Sequence, residues 1–189
     1  EHGATISAND AEGIRRGIFA FEDMLLSADG PFLACGSWQR RPWLKTRISR
    51  CFFSPVKRWP VNTDELLDDV NYYPDEYLNR LAHEGINGLW LVVALRELSE
   101  TSFTPRDPQA DRRVAKLRQT IRQCARYGIK VYLFCIEPFS VLADDPLPAA
   151  HPELFGATVG GRRLFCPSSP ATRQYLQELT CGVFRQAPD

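Results

Sequence analysis

Twice along this chain a helical pattern ends on a glycine and gives way at once to a run of apolar residues. Residues 74–84 lead through Gly85 into 86–94, and residues 111–127 lead through Gly128 into 129–136. A glycine just past a helix supplies the left-handed turn that releases the chain in a new direction. The second run is β-branched, aromatic or aliphatic almost throughout, with Lys130 its one charge. That is the pattern of a strand covered on both faces by helices. A repeat of helix, glycine and strand predicts parallel strands joined by right-handed crossovers, hence an α/β fold. Pro138 has no N–H to give to a ladder and ends the second strand. It leaves Glu137 at the carboxyl end, where parallel α/β folds keep their chemistry.

The flanking sequence extends the same period. Residues 46–54, closed by Pro55, predict an earlier strand, and residues 169–184 predict a later helix with Tyr175, Leu179 and Val183 on one face. The segment 139–170 is too long and proline-rich for a simple turn and reads as a lid or an insertion carrying short elements. Ahead of these units, residues 4–8 predict a strand, Asn9-Asp10 a cap, and 11–26 a helix with Ile14, Ile18, Phe21 and Leu25 at helical spacing. Residues 32–43 predict a short strand and a connection. The expected architecture is a partial small α/β N-terminal domain over 1–43, then the first three βα units of a TIM-type (β/α)8 barrel over 44–189. Three units cannot close such a barrel, so the chain is expected to be a fragment, with sheet edges that invite self-association.

Composition removes several function classes. The formal net charge of the 189 residues is zero and basic residues are spread among acids, so no nucleic-acid partner is expected. The cluster Arg40-Arg41, Lys45, Arg47 and Arg50 is the local exception. No apolar run reaches the roughly 18 residues of a membrane span. Six cysteines form no CxxC pair and His2, His83 and His151 lack ligand spacing, so neither metal nor cofactor is expected. Asp144-Asp145 offers too few oxygens for calcium. Cys51, Cys124 and Cys135 fall on apolar patterns and read as small buried hydrophobes, which suits a reducing, cytoplasmic compartment.

Taken together, several segments resemble the front half of family 20 and family 67 glycoside hydrolases, the β-hexosaminidases and α-glucuronidases. Residues 6–25, from Ile6-Ser-Ala-Asn-Asp10 onward, are similar to the last strand and helix of their small N-terminal domain. Pro42-Trp-Leu-Lys-Thr-Arg47 looks like the start of their first barrel strand, where hexosaminidases carry a sugar-gripping arginine. Gly85-Ile-Asn-Gly-Leu-Trp90 resembles their second strand, and 169–189 the helix before the fourth. The second strand here runs into Arg96-Glu97 instead of histidines and an aspartate, and the third ends in Ile136-Glu-Pro-Phe139. The resemblance therefore implies a divergent relative. It also implies that the catalytic carboxylate pair lies beyond Asp189, leaving this chain the substrate-positioning half of the site.

The expected function is accordingly part of a glycoside hydrolase, acting on O-glycosidic bonds of a carbohydrate by carboxylate acid/base chemistry. The alternative is a non-catalytic carbohydrate-binding or scaffold fragment. Glu137 is the candidate carboxylate, for sugar contact or for acid/base work. Arg47 and Arg50 offer guanidinium forks for sugar diols, with an interdomain ion pair as the competing role of Arg47. Arg96 and Glu97 are expected at the same mouth or paired to each other. Trp59, Tyr72, Tyr73 and Phe139 are candidate stacking residues, and mid-strand Trp90 is assigned to packing.

Overall fold

The two helix-ending glycines do what their positions require. Helix α2 (Asp75–His83) begins after Pro74, with Asp75 and Glu76 against its positive end. Gly85 beyond it has φ +83°, and Gly128 beyond α3 (Ala110–Arg126) has φ +67°, a region where other side chains are strained. Both ends close in the same way. Ile86 N–H donates to Leu81 and Gly85 N–H to Ala82; Ile129 N–H donates to Cys124 and Gly128 N–H to Ala125. Each pair of bonds satisfies helix-end carbonyls and turns the chain directly toward the sheet.

The computed structural model describes residues 3–28, 30, 32–50, 56–58, 61–135 and 139–187. It is a mixed α/β fold. After α1 (Ala11–Ser27) come β1 (Ile48–Arg50), a hairpin of β2 (Val56–Arg58) and β3 (Val61–Thr63), and then α2, β4 (Gly88–Val93), α3 and β5 (Lys130–Cys135). One sheet has the order β1-β4-β5, the order of the chain itself. β1 and β4 are parallel, with Ile48 opposite Gly88 and Arg50 opposite Trp90. The segment after β5 carries β6 (Ser140–Leu142), the short α4 (Leu147–Ala150), β7 (Phe155–Val159) and β8 (Arg162–Phe165). These strands form an antiparallel sheet of order β6-β8-β7, and α5 (Pro170–Gln186) follows.

The chain divides into two compact units. In the first, made of 1–50, 73–90 and 122–132, α1 is fastened by polar contacts. Asp10 caps it by accepting from Gly13 N–H at 2.7 Å, and Arg16 reaches the carbonyls of Ala82 and Ile86. The buried apolar residues of this unit are supplied mainly by Leu78, Leu81, Leu89, Cys124 and Ile129. In the second unit, made of 51–72, 91–121 and 133–189, Leu91, Leu95, Leu98, Leu117, Tyr175 and Leu179 are fully buried. Each such side chain contributes about 1.5–3 kcal/mol by leaving water.

Several expectations need correction. Residues 4–8 and 32–43 form no strand, and the loop after Pro55 contains a hairpin. β5 is an outer strand whose burial alternates: Lys130, Tyr132 and Phe134 are exposed while Val131, Leu133 and Cys135 are half-buried. Apolarity on both faces thus did not mean cover on both faces. The expected strand over 46–54 is described only as far as Arg50, the rest lying outside the described residues. The 139–170 segment, the expected lid or insertion, carries short elements of its own. Helix α3 buries one of its basic residues, Arg113. Cys124 is buried as expected, which pushes its thiol up to about 12, and Cys135 is half-buried.

Candidate functional site

Arg47 stands just before β1 in the first unit, where every nitrogen of its guanidinium has an acceptor. Nε donates to Gly85 O, Nη1 to Leu44 O and Lys45 O, and Nη2 to Glu12 Oε1 at 3.3 Å. Asn87 completes the knot, accepting from Arg47 N–H at 2.8 Å and donating to Lys45 O at 2.8 Å. Glu12 lies on α1 and also holds Arg16 Nε at 2.8 Å. Arg47 therefore fastens α1 to the start of the sheet through an ion pair made within one unit. Arg50, three residues further along at the end of β1, is exposed and lies 5.4 Å above the ring of Trp90. Its fork is presented to solvent with its flat side supported by an indole. Tyr73, in the same unit, is buried and serves the core.

In the second unit the residues after β4 pair with partners distant in sequence. Arg96 Nη1 meets Asp145 Oδ2 at 2.7 Å, tying the 3-10 turn Leu95–Glu97 to the insertion. Glu97 lies 3.5 Å from Arg113, whose guanidinium also contacts Asp64 at 3.0 Å and Asp107 at 2.9 Å. Three carboxylates converge on one cation that is 7% exposed. Such a cluster fixes the segments that supply it, and its acids are committed to the arginine. Arg113 went unnoticed among basic neighbours. Its signal was position: with Leu117, Thr120 and Cys124, four, seven and eleven residues on, it shares a buried stripe of α3.

Tyr72 and Phe139 show the two fates of the candidate aromatics. Phe139 is 66% exposed. Tyr72 donates its hydroxyl to Asp68 Oδ2 at 2.7 Å. That bond, with burial and the nearby carboxylates, raises the phenol to about 12. Because the neutral phenol is the form favoured by folding, its contribution is full below pH 10, the ordinary value, and is lost as pH rises through about 12. Replacing Asp68 with Asn is expected to bring tyrosinate absorbance of this residue back toward the ordinary range. Ultraviolet titration of the variant against Tyr72→Phe checks it, and an unchanged high-pH titration would contradict the assignment.

Glu137 and Trp59 lie outside the described residues. Among the described residues no cluster of three or more His, Cys, Asp or Glu side chains is arranged to hold a metal, and no helix is long and apolar enough to cross a membrane. Of the expected substrate contacts among the described residues, Arg50 on Trp90 in one unit and Phe139 in the other are exposed. No family model, curated protein or solved structure matches this chain.

Proposed function

We propose that this chain is part of a carbohydrate-processing barrel of glycoside hydrolase type and that it contributes substrate contacts. One observation carries the reading: β1, β4 and β5 stand side by side in chain order, with β1 and β4 parallel. Strands laid down in sequence order by helical crossovers are what a singly wound (β/α) barrel requires, an order that one half of a doubly wound sheet shares. The exposed apolar side chains of Ile48 and Tyr132 fit strands whose open face is meant to be covered. A guanidinium braced on an indole, as Arg50 is, suits sugar hydroxyls.

Binding without turnover is the second reading, and Glu97 favours it. Glycoside hydrolysis needs two carboxyl groups facing each other across the scissile bond. Glu97, at the end of β4, instead shares Arg113 with two aspartates. Titration of the chain with a panel of neutral oligosaccharides, followed by tryptophan fluorescence, separates the outcomes. The expected result is saturable binding of at least one sugar, weakened about tenfold by Arg50→Ala through loss of its paired donors. Parallel release of reducing ends would identify catalysis. Failure of every sugar to bind would overturn both readings.

A further inference from the structure

Between Asp29 and Asp64 the sequence contains seven basic residues and no acid, together with three of the four tryptophans. Since the whole chain is formally neutral, the remainder carries a matching excess of seven negative charges. The charge is segregated, not mixed. Within this stretch Arg40, Arg41 and Lys45 are exposed, and none forms an ion pair among the described residues. Arg47 is held by Glu12. Trp38 is 58% exposed and Trp43 98% exposed, so neither contributes much to a core. Unpaired cations interleaved with indoles open to water form a surface built for something outside the chain.

We infer that residues 38–45, through Trp38, Arg40, Arg41, Trp43 and Lys45, dock an acidic polysaccharide. Carboxylate or sulfate groups would pair with the two guanidinium forks and the ammonium, and the apolar faces of pyranose rings would stack on the indoles. Charge complementarity selects an anionic partner. Charge density selects among anionic polymers. A single nucleic-acid strand carries a phosphate every ~3.4 Å. Three cations spread over residues 40–45 match a polysaccharide bearing one acid per sugar or per disaccharide better than that dense row of phosphates. The choice of a glycan rests on the carbohydrate reading above, and the binding requires no turnover.

Affinity electrophoresis of the full chain in gels containing polygalacturonate, chondroitin sulfate or neutral dextran tests this, beside titration with a fluorescent oligothymidylate. The expected result is retardation by at least one acidic polysaccharide and none by dextran, with affinity reduced about tenfold or more by Trp43→Ala and by Arg40→Ala/Arg41→Ala. These side chains are exposed, so the variants should melt like the parent. Retardation that survives both variants, equal retardation by dextran, tighter binding of the oligothymidylate, or no retardation at all would each overturn the inference. Arg50→Ala is expected to weaken the neutral sugars about tenfold and this retardation by far less. The two readings therefore fail separately.

Discussion

Replacing Arg113 with methionine is expected to destabilise the protein by about 3–5 kcal/mol, enough to lower its melting temperature by roughly 6–20 °C. The guanidinium is almost wholly enclosed and holds Asp64, Glu97 and Asp107, whose side chains are themselves mostly covered. Removing it leaves three carboxylates facing one another with no cation among them, which costs more than the attraction lost. Arg113→Lys should fall between the two, because one ammonium cannot reach three acceptors that a planar fork can. Adding Asp64→Asn and Glu97→Gln to the methionine variant should recover part of the loss, since the repulsion then disappears. Urea unfolding of the four proteins measures the set. A loss below about 1 kcal/mol for Arg113→Met would show the cluster to be a solvated surface network.

What the sequence made legible follows from what its local patterns can encode. Gly85 and Gly128 fix the helix ends because only a residue without Cβ turns there without strain, and both sit where their φ demands it. Tyr175, Leu179 and Val183 were found on the buried face of α5 because helical periodicity reports burial directly. Periodicity says nothing about how many neighbours a sheet has. The strand after Gly128 is apolar on both sides, yet Tyr132 and Phe134 are open to water because one face of β5 lacks full cover. Nor does composition reveal ion-pair partners brought together from far apart in sequence. Glu97 and Arg96 are adjacent in the chain but bind Arg113 and Asp145. Arg47 showed its double nature only when Glu12, thirty-five residues earlier, closed on it. Of the expected substrate contacts, Arg50 and Phe139 are exposed, whereas Tyr73 is drawn into the core.

Tyr175→Ala is expected to cost about 3–5 kcal/mol and to release the insertion before the rest of the second unit unfolds. The ring is fully buried on α5, stacked on Phe165 at 5.5 Å and edge-on to Phe103 at 6.0 Å. Phe165 in turn stacks on Phe155 at 4.7 Å, so one column of rings joins α5 to β8 and β7. Beside it, Thr172 donates to Leu154 O at 2.7 Å from a buried position, and Ser169 caps α5 while its hydroxyl reaches Glu153 O. The antiparallel sheet is small and draws part of its apolar support from this column, since Leu142 and Val159 are exposed. Truncating the ring removes the shared partner of two aromatic contacts at once, and the cavity cannot close without moving a helix. Tyr175→Phe keeps the column and should retain most of the stability. Limited proteolysis distinguishes local from global effects: in Tyr175→Ala, cleavage within 139–166 should precede cleavage in α3, and simultaneous loss of both would show that the insertion and α3 unfold as one unit.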